Sequence, residues 1–158
     1  MPAAAVELSD DETLEFGELM RSPGFLLRLA QVQSFDLFFD RLAKHGLKPG
    51  EFTVLWVIGL NPGLRQGVAA RKLRIKPAHM TKLVQRMVTG GYVERTVPDT
   101  DRRSVRLQLT QKGEAFVAKH RAAFLEFHEA ERLDLSEDEF DTLMRLLAKL
   151  TGIEGRET

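Results

Sequence analysis

The chain of 158 residues has no cysteine, no net charge and no long hydrophobic run. Without cysteine there can be no disulfide, no thiol catalysis and no cysteine-ligated zinc or iron–sulfur cluster. The longest apolar stretch, Val54 to Leu60, is far too short to cross a bilayer. The N-terminal stretch Met1 to Glu12 is acidic and lacks the basic start and apolar run of a signal peptide, so a cytoplasmic protein off the membrane is expected. Catalytic signatures are missing too. The four histidines, His45, His79, His120 and His128, show no HExxH or similar metal spacing, and there is no glycine-rich phosphate loop or nucleophile elbow. His120 and His128, with Glu126 and Glu129, read as a solvated helix face rather than a metal cluster. No enzyme activity, cofactor or metal is expected. The length suits one domain, or one domain with an oligomerisation arm.

The zero net charge hides an uneven distribution. Residues 1–20 carry six acids and no base, and residues 126–145 carry eight acids and two bases. Between them, residues 65–106 carry eleven bases against three acids, a surplus of eight. A basic module in an acidic frame is the footprint of a polyanion binder. A solvated face that happens to be basic would look the same from charge alone.

Hydrophobic spacing predicts mostly helices. Ser22-Pro23 opens a long helix to about Lys44, with Phe25, Leu29, Val32, Phe35, Phe38, Phe39 and Leu42 at helical intervals. Gly46 ends it. A more fully apolar helix follows over Glu51 to Leu60, and Asn61-Pro62-Gly63 turns the chain. Residues 65–73 form a short helix with Val68, Ala69 and Leu73 inward. Arg74-Ile75-Lys76 is a turn, and Pro77 starts the helix with the cleanest pattern. Met80, Leu83, Val84, Met87 and Val88 make a single apolar stripe, and Gly90-Gly91 stops it with a left-handed cap.

A two-stranded ribbon over 92–109 comes next, with Val105, Leu107 and Leu109 alternating against Ser104, Arg106 and Gln108. Arg102 and Arg103 sit at its tip. Thr110 caps a long helix to about Glu131, with Ala115, Phe116, Ala118, Ala122, Leu125 and Phe127 among its apolar positions. Ser136 and Glu139 form a capping box before a last helix bearing Phe140, Leu143, Met144, Leu147 and Leu150. Gly152 ends that helix, and residues 153–158 are expected to fray. The expected order is four helices, two strands and two helices, without internal repeats.

A short helix, a tight turn and a second helix with one polar face make a helix-turn-helix, whose second helix fits the DNA major groove. The polar face carries Ala78, Thr81, Lys82, Gln85 and Thr89, flanked by His79 and Arg86. Lys82 and Arg86 suit phosphate or guanine, Gln85 adenine, Thr81 and His79 either, and Ala78 a thymine methyl. The helix start at Lys76-Pro77-Ala78 favours a phosphate. An arginine at the ribbon tip can enter a narrow minor groove. Asp101 is placed to pair with Arg103 and set its fork. The competing interpretations are an ordinary solvated amphipathic helix and a surface hairpin.

From Asn61 to Gly113 the chain resembles the winged helix-turn-helix of the multiple-antibiotic-resistance-regulator (MarR) family. The resemblance rests on Asn61-Pro-Gly-Leu64, Ile75 to Leu83, Gly91-Tyr-Val-Glu-Arg95 and the run Asp99-x-Asp-Arg-Arg-Ser104…Leu107-x-Leu-Thr-x-Lys-Gly113. With its flanking helices it spans roughly residues 22–150. It implies a mainly α fold with a two-stranded wing and long dimerisation helices. Segment 1–21 would be an acidic lead, 22–47 and 110–152 the dimerisation region, and 48–109 the DNA-binding lobe. It implies a homodimer that represses from a pseudo-palindromic duplex operator and is released by a small molecule, with Arg103 as the wing arginine and Asp101 its partner. Where many members start their helices with Thr or Ser, this chain has Arg65 and Lys76, which weakens capping and adds phosphate-seeking charge.

For the effector, Phe38, Phe39, His45, Phe52 and Trp56 suit a phenolic or aryl ligand. Arg41 and Lys44 suit its carboxylate or phosphates. An aromatic acid is expected; the opening Ser22-Pro-Gly-Phe-Leu-Leu-Arg28 also resembles family members that control aromatic-acid breakdown, which implies an aryl-CoA thioester as the other candidate, and cysteine-based peroxide sensing is excluded. Each of these aromatics could equally be core. The alternative function is a protein-interaction adaptor on the same winged fold.

Overall fold

The structure, a computed structural model, describes residues 14–46, 48–99 and 104–153. The chain divides into two units at Ser34/Phe35. In the first, a 3-10 turn over Gly17–Arg21 leads into helix α1, Pro23–Leu42, which continues into the second unit. Ser22 opens α1 as its sequence suggests, its hydroxyl accepting from the Phe25 amide at 3.4 Å. Phe16 and Phe25 pack with ring centroids 5.5 Å apart.

The second unit holds the remaining elements: α2, Glu51–Leu60; β1, Leu64–Arg65; α3, Gln66–Lys72; α4, Pro77–Thr89; β2, Val93–Thr96; β3, Arg106–Leu109; α5, Gln111–Ala130; and α6, Glu137–Thr151. Strand β1 is a departure from the sequence reading. It makes the wing a three-stranded antiparallel sheet in the order β1-β3-β2, not a two-stranded ribbon. Leu64 pairs with Leu107, and Val93 with Leu109. Two residues are too few to show an alternating pattern; they are a strand only because β3 supplies their partners. The turn that delivers them uses Gly63 at φ 78°, a conformation open to glycine.

Two cores form, with α2 between them. Val54, Leu55 and Ile58 of α2 join Ala69 and Ala70 of α3, the α4 stripe Met80, Leu83, Val84 and Met87, and Val93 and Leu107 of the sheet. Phe52 joins Phe38, Leu42 and Phe127, with Trp56, Phe116 and Phe124 packed alongside. A helix apolar on most sides must be buried on most sides, and α2 leaves only Thr53, Gly59 and Leu60 exposed. Along α5 the inward face is Gly113, Phe116, Val117, His120, Ala123, Phe124 and Phe127, at regular helical spacing. The expected apolar positions Ala115, Ala118, Ala122 and Leu125 are exposed. Alanine on every side blurs the stripe, and a buried histidine interrupts it.

Local capping sets the boundaries. Helix α4 ends in a Schellman motif, with Tyr92 N donating to Met87 O and Gly91 N to Val88 O, both at 2.9 Å. The left-handed residue is Gly91, at φ 76°. Thr110 ties sheet to helix. Its hydroxyl donates to Gly91 O at 2.6 Å and accepts from Gly113 N at 3.1 Å. Its amide donates to Tyr92 O at 3.0 Å. Ser136 and Glu139 complete the capping box, and those bonds hold the Glu139 carboxyl below its usual range. The helix they start buries no side chain, and Leu143, Met144 and Leu150 stay exposed.

Gly113 is where this joint is tightest. A Cβ there would lie 2.1 Å from the Tyr92 carbonyl oxygen, which is backbone and anchored by Thr110. Gly113→Ala should therefore destabilise by about 1–3 kcal/mol or more, as overpacking does, measured by urea unfolding. Gly24→Ala, where a Cβ meets nothing within 4 Å, should be neutral or slightly stabilising in the same assay.

Candidate nucleic-acid interface

Helices α3 and α4 are joined by Leu73 to Lys76, a turn made possible by Arg74 at φ 52°. Ile75 N donates to Ala70 O at 2.9 Å, closing the turn on α3. Neither Arg65 nor Lys76, the residues before α3 and α4, makes a side-chain cap, as their chemistry requires. Pro77 takes the first position of α4, where its missing amide hydrogen costs nothing. With Met80, Leu83, Val84 and Met87 buried, Lys76, Pro77, Ala78, His79, Thr81, Lys82, Gln85 and Arg86 are all left exposed. One helix thus presents a continuous polar, basic face.

Several of these side chains are already held. Thr81 Oγ1 donates to Pro77 O at 3.0 Å and accepts from Gln66 Nε2 of α3 at 3.2 Å. Gln85 Oε1 accepts from Arg95 of β2, and its Nε2 donates to Thr89 at 3.4 Å. Arg86 is drawn aside, its Nη2 lying 2.7 Å from Glu51 Oε1 at the start of α2. The side chains of Lys76, His79 and Lys82 make no ion pair or hydrogen bond among the described residues, although Lys76 O accepts from Met80 N at 2.9 Å. Arg95, Gln66 and Glu51 were not foreseen. Each acts on α4 from another element, and no local spacing signals that. Arg65 and Arg71 flank a notch of about 360 Å³ lined also by Gln66 and Ser104. The wing-tip residues Asp101, Arg102 and Arg103 lie outside the described residues.

The expected effector residues do not share one cavity. Phe38 is buried, with its ring 6.0 Å from Phe39 and 5.5 Å from Phe127, while Phe39 is 54% exposed. Phe52 packs on Trp56 at 5.5 Å and on Phe124 at 4.7 Å. Arg41 and His45 are exposed. A cavity of about 280 Å³ takes only Phe52 from this set. Its walls add Leu55, Met87, Tyr92 and Phe116, and its rim carries Gly46, Lys48, Glu51 and Arg86.

His120 corrects the solvated-face interpretation of the α5 histidines. It is 6% exposed, its ring tilted against that of Phe116 at 4.5 Å and edge-on to His45 at 5.5 Å. His128 stays at the surface, 2.8 Å from Glu131. Among the described residues no group of His, Asp or Glu is arranged to hold a metal.

A helix-turn-helix with a polar, basic second helix, closed by a strand-borne wing, is a winged-helix DNA-binding unit. Comparison with known proteins makes the class specific. The model of the MarR family matches residues 45–104. The chain is 31% identical over 143 residues to a transcriptional regulatory protein for the hcr operon of Thauera aromatica, covering 90% of this chain and 86% of that one. The structure of the transcriptional repressor CouR bound to a 23-mer DNA duplex matches with a TM-score of 0.79 at 32% identity, over 88% of this chain and 99% of CouR. A mutant MarR from E. coli complexed with operator DNA shares the fold, with a TM-score of 0.76 at 24% identity over 87% of this chain and 99% of that one. The chain belongs to the MarR family. It is a DNA-binding transcriptional regulator, and its relatives are regulators rather than enzymes. No helix among the described residues is long and apolar enough to cross a membrane.

The buried histidine has a pH consequence. Loss of solvent around His120, and then the nearby Lys119 and His45 charges, lower its pKa from the ordinary 6.5. Below pH 6.5 the unfolded chain binds a proton at this ring before the folded chain does. Its contribution to stability is complete above that pH and declines as pH falls towards the lowered folded value. His120→Leu should reduce the drop in melting temperature between about pH 7.5 and pH 5.5, followed by circular dichroism.

Proposed function

We propose that the protein is a ligand-responsive repressor that binds a pseudo-palindromic operator as a homodimer. The observation that carries this is the exposed face of α4, an unburied polar surface on the second helix of a helix-turn-helix. In this reading Lys82, Gln85, Thr81, His79 and Ala78 meet the major groove, while Lys76 and Pro77 at the helix start meet a phosphate. Arg86 flanks that contact. Arg102 and Arg103 reach the adjacent groove, with Asp101 steadying Arg103.

Residues 48–109 form the DNA-binding lobe, and 22–47 with 110–152 form the dimerisation region. The dimer is supported by apolar surface that one chain leaves in water. On α6 it is Leu143, Met144 and Leu150, and in the first unit Leu26, Leu29 and Val32. Exposed apolar stripes of this kind mark protein contacts. The operator is released by a small aromatic acid or its CoA thioester, a reading supported by the ring-rich packing around Phe52 and Trp56.

The test is fluorescence anisotropy on a duplex selected from a random library, repeated over a salt series. Affinity should fall with a log–log slope of about −0.9 per phosphate contact. Lys82→Ala should weaken binding. If Lys82 meets a phosphate, the slope becomes shallower by about 1; if it meets a base, sequence preference relaxes. Arg103→Ala should cost at least ~1 kcal/mol. Salt-independent binding, or no duplex selected, would instead identify a protein-interaction adaptor.

A further inference from the structure

Arg74 stands apart from the reading face and reaches across the fold. It lies in the turn between α3 and α4 at φ 52°, a conformation that suits glycine and strains other residues. Such an outlier directs attention to what the side chain does. Its Nη2 donates to Thr151 O, 77 positions further along the chain, at 3.4 Å. Thr151 is the last residue of α6, and the contact completes the cap of that helix. Gly152 N donates to Lys149 O at 3.2 Å and Ile153 N to Ala148 O at 3.1 Å, with Gly152 left-handed at φ 69°. Thr151 Oγ1 donates to Leu147 O at 2.8 Å. Arg74 takes the last helical carbonyl and sets a cation at the negative end of the helix dipole.

Helix α6 buries no side chain, so packing within one chain does not fix where its end lies. Helix α5 leaves the sheet at Thr110, and α6 comes back to the helix-turn-helix at Thr151. The two are about 30 Å and about 22 Å long at the rise of an α-helix. They act as two struts between residues 48–109 and the apolar stripe Leu143, Met144 and Leu150. One strut is fastened through the Thr110 hydrogen bonds, the other through Arg74. A body held by one strut can pivot on it; a second, fastened at a different point, fixes the angle.

We propose that Arg74 is a positioning residue that joins the helix-turn-helix turn to the end of α6 and so sets the half-site spacing that the dimer accepts. Arg74 does this without touching DNA. Helix α4 begins at Pro77, three residues on, so any swing of the turn is carried to the reading face. A dimer must meet two half-sites at once, a fixed number of base pairs apart. Two α4 helices held at one separation select one spacing, whereas loosely hinged ones accept several. A cation at a helix C-terminus shifts an equilibrium by about two- to fivefold, and a dimer carries two such contacts. The proposal rests on the dimer reading above and names a residue that sets its geometry.

The full-length protein is compared with Arg74→Gly and Arg74→Asn. Both replacements tolerate the left-handed turn, and neither reaches α6. Duplexes carry two copies of the selected half-site at separations stepped by single base pairs, and one further duplex carries a lone half-site. Sedimentation gives the oligomeric state. The unaltered protein should prefer one separation, and both variants should flatten that preference by about fivefold. Affinity for the lone half-site and its salt slope should stay unchanged. Amide exchange at Gly152 and Ile153 should become severalfold faster in both variants, as the end of α6 frays. A spacing preference or an exchange rate unmoved in both variants overturns the role. So does an effect confined to Arg74→Gly, which would come from a loosened turn rather than a lost contact. Weaker lone half-site binding with a slope shallower by about 1 makes Arg74 a phosphate contact and also overturns it. If the unaltered protein sediments as a monomer, the dimer reading falls and the spacing role with it. If it is a dimer and the variants keep its spacing preference, only the role of Arg74 falls.

Discussion

Helix α2 carries large apolar side chains on two flanks that both need cover, and the second unit is arranged around that constraint. Val54, Leu55 and Ile58 are covered by α3, α4 and the sheet, while Phe52 and Trp56 are covered by the aromatic side of α5. Burying large side chains on both flanks of one helix contributes several kcal/mol per flank at about 1.5–3 kcal/mol per residue. It also sets where α4 lies. The four buried residues of α4 dock on this framework, and the opposite face of that helix is turned to solvent as a consequence. The polar face proposed to meet DNA thus arises from apolar packing on its reverse side.

The joint at Thr110 plays a second, smaller part. One side chain and its amide reach Gly91, Tyr92 and Gly113, so the end of the recognition helix, the start of the wing and the start of α5 are linked. The close approach of α5 to Tyr92 O excludes any side chain at residue 113. The same Tyr92 forms a wall of the cavity beside Arg86.

Comparison with the sequence shows what kind of information travels locally. The α4 stripe was legible because five apolar residues at helical intervals on one helix need no partner to be recognised. The caps at Thr110 and Ser136, and the stop at Gly90-Gly91, were legible because their hydrogen bonds close within a few residues. The polar face of α4 followed from the stripe. The wing was legible as a ribbon from the alternation of Val105, Leu107 and Leu109. The inward face of α5 was not, because alanines and a histidine share its positions.

By itself, the sequence determined the helices, their capped ends, the family to which the chain belongs and the residues turned outward on α4. Those features depend on periodicity and on contacts between near neighbours. Only the tertiary structure decided that Leu64-Arg65 becomes a third strand, that His120 is buried and that Arg86 is drawn to Glu51. It also decided that Phe52, rather than Phe38 or Phe39, faces a cavity. Each of these joins residues from different elements, Glu51 and Arg86 being 35 positions apart. Side-chain spacing along a chain holds no record of such meetings; they are set when α2 is buried from both sides at once.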